Sequence, residues 1–239
     1  MSDFRVIRFA IIVCLACSVV LSAAAIGLRD RQDANLIFDQ RRNILKSVGL
    51  FEDGMGEAEV NAIYGERMVG LVLRPDGTVL EGRVPSDIDE AKESELLALY
   101  QRLDDGKVGA YSFPVSGKGL WSTLYGYFAL EADLNTVAGI TFYQHGETPG
   151  LGGEIDKPWF QHNFVGKKIL DEAGDVVSVT VVKGTAADQH SDPKDLSHYV
   201  DGISGATITS RGVTKLVKMG LERYEPYFGT LRSGAGRTT

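Results

Sequence analysis

Beyond residue 17 the chain has no cysteine, so no disulfide can staple its folded part. The only two, Cys14 and Cys17, fall in an apolar stretch without a neighbouring His or further Cys. On a helix their spacing puts both on one face, yet alone they read as small apolar residues rather than as a redox or metal pair. A basic cluster is also missing. With 25 Lys and Arg against 32 Asp and Glu, the net charge is -7, and the electrostatic footprint of a nucleic-acid binder is absent. His145, His162, His190 and His198 stand at no metal-ligand spacing, which argues against a zinc set. Neither a Walker A string nor a Gly-x-Gly-x-x-Gly after a strand occurs. Ser204 lacks the His and Asp of a serine hydrolase, and no internal repeat is present. No nucleophile, general acid or other catalytic residue is expected.

What the chain does have is a charge-free run from Phe9 to Leu28, matching the roughly 20 apolar residues that span a bilayer. Arg5 and Arg8 precede it, and Arg29, Asp30 and Arg31 follow it. A cleaved signal peptide is the rival reading, because Ala23-Ala24-Ala25 suits a small-residue cleavage site. Its apolar core is longer than the roughly 7–15 residues of secretory signals, which favours a retained anchor. Arg29, Arg31, Arg41, Arg42 and Lys46 outnumber the cations before the run, so flanking charge places the following domain in the cytoplasm.

After the anchor, Leu36, Ile37, Ile44, Leu45 and Val48 suggest an amphipathic helix over 33–48, with Gly49 to end it. Segments 68–73 and 78–84, joined by Arg74-Pro75-Asp76-Gly77, read as a hairpin. A charged, leucine-bearing surface helix is expected over 89–102, and strands over 111–115, 124–131 and 137–144. A short helix over 159–170, a strand over 176–183 and a polar loop over 184–197 follow. Val213, Leu216, Val217, Gly220, Leu221 and Tyr224 recur at helical spacing, with Thr209 or Ser210 as a natural N-cap. Helices and strands mix without βαβ alternation. The fold class is therefore α+β: one N-terminal transmembrane helix, then one domain with a largely antiparallel twisted sheet and flanking helices.

Just before the last helix, Asp201-Gly202-Ile203-Ser204-Gly205-Ala206-Thr207 puts a hydroxyl on a small-residue turn. A helix N-terminus stabilises an anion through unpaired N–H groups and the macrodipole, so this place suits a phosphate. A plain turn before a helix is the competing account. Two further strings stand out, Gly117-Lys118-Gly119-Leu120-Trp121-Ser122 and Glu147-Thr148-Pro149-Gly150-Leu151-Gly152. The first also serves as a glycine turn between strands, and Trp121 as a core tryptophan; the second is too glycine-rich for a helix or strand interior.

Together, these three blocks and the anchor resemble the C subunit of the sodium-translocating NADH:quinone oxidoreductase, and its relative, the G subunit of the Rnf ferredoxin:NAD oxidoreductase. The likeness is weakest over 32–111. It implies FMN esterified through its phosphate to the last threonine of the motif, here Thr207, beside Ser204, Gly205 and Ala206. It also implies flavin contacts at Lys118, Gly119, Trp121, Glu147, Thr148, Gly150, Leu151 and Gly152. Within these, Leu151 packs on the ring, Thr148 and backbone N–H groups meet its polar edge, and Glu147 supports its loop rather than acting in catalysis. Asp201 organises the turn or aids the attaching enzyme.

The implied organisation is an anchor (1–30), a membrane-proximal α+β region (31–110), an FMN-binding region (111–230) and a flexible tail (231–239). The implied activity is an electron carrier, one part of a translocase that moves electrons from NADH towards ubiquinone and exports sodium. Implied partners are the A, B, D, E and F subunits of a six-subunit complex, a flavin transferase and the lipid bilayer. The implied location is the bacterial inner membrane with the domain in the periplasm, against the charge bias. An Rnf-type G subunit and a membrane-anchored FMN-binding regulatory module are the alternatives.

Overall fold

A computed structural model describes residues 2–89, 92–190 and 192–234. Contacts divide the chain into two units, Met1–Gln40 and Arg41–Thr239. The first belongs to helix α1 (Ser2–Ser47). Within it, Phe4–Arg29 is long and apolar enough to cross a membrane. Its 26 residues reach about 39 Å, against a hydrocarbon core of about 30 Å. The separate amphipathic helix expected over 33–48 is instead the end of α1. Gly49 does close it, at φ +73, and the Leu50 N–H donates to the Leu45 carbonyl at 2.9 Å.

In the second unit, α2 (Glu57–Arg67) precedes a five-stranded antiparallel meander. Its strands are β1 (Met68–Leu73), β2 (Leu97–Asp104), β3 (Lys107–Lys118), β4 (Thr123–Glu131) and β5 (Val137–Gln144), neighbours in chain order. A short helix α3 (Pro158–His162), strand β6 (Thr180–Val181), helix α4 (Pro193–Leu196) and strand β7 (Tyr199–Val200) follow, β6 and β7 pairing in parallel. The long helix α5 (Thr207–Arg232) completes the described fold.

Strand alternation sorts the core. Tyr111, Phe113, Val115 and Gly117 of β3 lie opposite Leu130, Phe128, Gly126 and Leu124 of β4, forming the face that α5 covers. Phe113 is fully buried, with ring centroids 4.4 Å from Tyr224, 5.6 Å from Phe228 and 5.8 Å from Phe128. Burying a side chain of that size stabilises the fold by about 1.5–3 kcal/mol. On the other face small residues admit the end of α1. The Ser47 and Ser112 hydroxyls are 2.7 Å apart, and a Cβ on Gly139 would stand 2.5 Å from the Ser47 carbonyl oxygen.

Glycines also let α5 lie close on β3. A Cβ on Gly220 would stand 2.6 Å from Val115 Cγ1, on Gly117 2.6 Å from Leu216 Cβ, and on Gly212 2.5 Å from the Lys118 carbonyl oxygen. The end of β3 is thereby pressed against the first turns of α5.

Several expectations change. Segment 89–102 is not a surface helix: its charged half forms turns, and Leu97, Leu99 and Tyr100 are drawn into β2, where pairing with β1 and β3 overrides local propensity. Residues 90 and 91 lie outside the described positions. The hairpin after β1 turns as expected, but its return arm makes a single bridge, Leu73 to Val79. The segments read over 159–170 and 176–183 shrink to α3 and β6, and the loop read over 184–197 contains α4, whose N-cap Asp192 accepts from the Lys194 N–H. Helix α5 starts at Thr207 with Ala206 as N-cap, ahead of the N-cap expected at Thr209 or Ser210, because the Ser210 N–H already reaches the Ala206 carbonyl at 2.9 Å. Of the tail, residues 235–239 fall outside the described part.

Candidate functional site

The three sequence blocks meet at one side chain. Glu147, in the loop after β5, is 5% exposed. Its Oε1 accepts the N–H groups of Trp121 at 2.9 Å and Ser122 at 3.2 Å. Its Oε2 accepts the Leu120 N–H at 3.2 Å and the Thr209 hydroxyl at 2.6 Å. Burial pushes this carboxyl up, but the Thr209, Trp121, Ser122 and Leu120 hydrogen bonds outweigh it and hold the group below the usual carboxylate range.

Local sequence explains each arm. The loop 119–122 is the β3–β4 turn, closed by the Gly119 N–H on the Ser122 carbonyl at 2.8 Å. A Cβ on Gly119 would stand 2.6 Å from Glu147 Oε1, so glycine is what lets the carboxylate in. Ser122 Oγ accepts the Gly146 N–H at 2.6 Å, joining this turn to the loop after β5. In that loop the Leu151 and Gly153 N–H groups both turn onto the Thr148 carbonyl, at 3.1 and 2.9 Å, while Gly150 takes φ +75. A Cβ on Gly152 would stand 2.6 Å from Thr209 Oγ1 and 2.8 Å from Glu147 Oε2. Beside them, Gly205 at φ +74 faces Leu151, whose Cδ2 would lie 2.8 Å from an added Cβ.

At the start of α5 no side chain caps the helix, which leaves its N-terminal end suited to an anion. Asp201 is not at the helix itself; its Oδ1 accepts the Ala186 N–H at 2.7 Å and shapes the preceding turn. Ser204 and Gly205 are exposed, Ala206 is buried, and Thr207 is half-buried. Thr209 and Ser210 are buried.

Trp121 is 70% exposed, so it is not a core tryptophan. Leu120, Leu151 and Ile208 are also exposed, each on one of the three segments tied by Glu147. Lys118 is exposed at the end of β3 and Thr148 at the head of its loop. Ile208, Thr209 and Gly212 belong to the site without being marked as site residues by the sequence. A small residue at both 209 and 212, three apart on one helix face, is the available signal for a close approach. A separate cleft of about 460 Å³, lined by Asp171, Ser178, His198 and Tyr199 among others, contains none of the motif residues.

An FMN-binding domain family matches residues 119–222, a span that opens at the Gly119 turn and takes in Glu147 and Thr207. The chain is 38% identical to the C subunit of the Na(+)-translocating NADH-quinone reductase of Pseudomonas aeruginosa, covering 98% of this chain and 97% of that one. It is 33% identical to the protein of that name from Yersinia pestis, covering 94% and 91%. Among solved structures, it superposes on the C subunit of the same reductase from Parabacteroides distasonis with TM-score 0.72 and 35% identity, covering 84% of this chain and 96% of that one. The Shewanella oneidensis NqrC structure gives TM-score 0.68 and 30% identity, covering 82% and 97%.

Proposed function

Starting from the fact that the chain belongs to the family of C subunits of Na(+)-translocating NADH-quinone reductases, we propose that it carries FMN on Thr207 as a phosphoester. In this role it relays electrons from NADH towards ubiquinone in a sodium-exporting complex. The observation that carries the reading is the contrast among four hydroxyls at the head of α5. Thr209 is buried and donates to Glu147, Ser210 is buried, Ser204 lies outside the helix, and Thr207 is the half-buried hydroxyl on its first residue.

The residues present fit the cofactor. The uncapped end of α5 suits the phosphate, Gly205 lets the Leu151 side chain close on the turn before Thr207, and exposed Leu120, Trp121, Leu151 and Ile208 offer apolar area for a ring. FMN supplies the redox chemistry; the protein supplies orientation, hydrogen bonds and electrostatics. Leu120, Trp121 and Ser122 spend their N–H groups on Glu147 and Leu151 spends its own on the Thr148 carbonyl, so polar contacts to the ring come from Thr148, Lys118 and the backbone of Gly150 and Gly152. Glu147 stays ionised and shapes the site.

A threonine hydroxyl is a poor nucleophile unaided, so a separate flavin transferase forms the ester. It joins the Thr207 oxygen to the FMN phosphorus of FAD, AMP departs and the hydroxyl proton is released. Covalency retains the cofactor where no flavin pool replaces it, which fits a periplasmic domain anchored by α1 in the inner membrane, with the A, B, D, E and F subunits as neighbours. The division into anchor (1–30), membrane-proximal region (31–110), flavin region (111–230) and tail (231–239) belongs to the same proposal. Intact and peptide mass spectrometry of denatured protein from its native host tests it. The expected result is an FMN adduct on Thr207 that Thr207→Ala abolishes and Ser204→Ala retains; unmodified full-length protein in an active complex overturns it.

A further inference from the structure

We propose that Glu147 is the positioning residue of this site: one buried carboxylate sets the register of the loop carrying Trp121 against the first turn of α5 and fixes a negative charge beside the ring. The flavin part rests on the reading of Thr207 given above; the register part does not.

The geometry is specific to a carboxylate. Three consecutive main-chain N–H groups, those of Leu120, Trp121 and Ser122, and the Thr209 hydroxyl converge on its two oxygens. All four bring hydrogens, and only an ionised acid offers acceptors at both positions. The surroundings admit little else, since a Cβ at either Gly119 or Gly152 would stand within 2.8 Å of a Glu147 carboxylate oxygen. A glutamine fills the same volume but sets an NH₂ where the Leu120 N–H and Thr209 O–H point. The threonine hydroxyl can rotate to accept, whereas the main-chain N–H of Leu120 is left without an acceptor.

The consequence reaches the site through its neighbours. Trp121 and Ser122 hang on one carboxylate oxygen, Leu120 and Thr209 share the other, Thr207 lies two residues before Thr209, and Leu151 follows Glu147 within the same loop. Releasing the carboxylate frees these segments to shift relative to one another. It also removes a charge next to the apolar rim, in a place where water screens it little.

The test compares wild type with Glu147→Gln and Thr209→Val in the full-length chain. Amide exchange is read first, without reference to flavin. Residues 120–122 are expected to exchange about tenfold faster or more in Glu147→Gln, the worth of a hydrogen bond to a charged group, while β4 and β5 keep their protection. In adduct-bearing protein, the flavin midpoint potential is expected to rise in Glu147→Gln, because a negative charge opposing electron uptake is gone, and to stay unchanged in Thr209→Val, which loses the hydrogen bond but keeps the charge. A merely structural role does not separate these two variants. Unchanged exchange at 120–122 overturns the register claim, and equal potentials in the two variants overturn the charge claim. A wild-type chain without adduct defeats the Thr207 reading and the charge claim with it, while amide exchange still decides the register claim.

Discussion

Thr207 and Thr209 stand two positions apart at the head of α5, and burial sets them apart. The Thr209 hydroxyl is committed to Glu147 in the buried interior, whereas Thr207 is only half-buried. Sequence shows both as the same residue type and cannot rank them by chemistry alone; the motif likeness favours Thr207, and burial supplies a physical reason. From sequence Glu147 reads as a support for its own loop, and the structure shows it supporting a different loop and a helix, a long-range link that spacing does not reveal. Its ionisation makes a prediction. The folded value lies below that of an unfolded glutamate, about 4.3, so its contribution to stability is full above that pH and is lost as pH falls through the folded value. Urea unfolding is expected to show wild type more stable than Glu147→Gln at neutral pH, with the gap narrowing as pH falls below about 4.3. A gap independent of pH would mean that folding leaves the affinity of this carboxyl for its proton unchanged, and a gap that widens as pH falls would mean that the fold favours the neutral acid.

At the level of elements, β1 and β5 are legible to the residue because each is an apolar run between clear turn signals. Strand β2 is not, since its leucines sit in a charged segment and only the neighbouring strands make it extended. Helix α2 escapes a sequence reading because a single residue of it, Val60, is buried, leaving almost no periodic signal. The apolar spacing of α5 is plain, but its start is easily misplaced because hydroxyl residues in the first turn imitate N-caps. These sheet and helix layers meet at Phe113, which touches α5 at two rings and β4 at one. Phe113→Ala is expected to cost about 3–5 kcal/mol, measured by denaturant unfolding. A loss below about 1 kcal/mol would show that the layer between β3 and α5 relaxes far more than its packing implies.

The whole molecule is a membrane-anchored protein in which a core complete in itself follows the apolar helix. Among the described residues every buried apolar side chain belongs to residues 44–228, so removal of residues 1–34 is expected to give a detergent-free, folded protein. Retention of cooperative thermal unfolding checks this; aggregation or a non-cooperative melt counts against it. The functional blocks are legible one by one, but their convergence depends on β3, β4 and β5 being neighbours and on α5 crossing back to the end of β3, which only the tertiary structure supplies.

The glycines at that crossing also govern how the lineage can change. At Gly220 the obstacle to a methyl group is a valine side chain, and at Gly117 it is the Cβ of a leucine. Trimming Val115 to alanine can restore the fit at Gly220, whereas the Leu216 Cβ facing Gly117 is lost only on substitution by glycine. At Gly212 the obstacle is the Lys118 carbonyl oxygen, part of the main chain of every possible sequence. A search for second-site suppressors therefore has somewhere to go from Gly220→Ala, has only Leu216→Gly to find from Gly117→Ala, and gains nothing by trimming the facing side chain in Gly212→Ala.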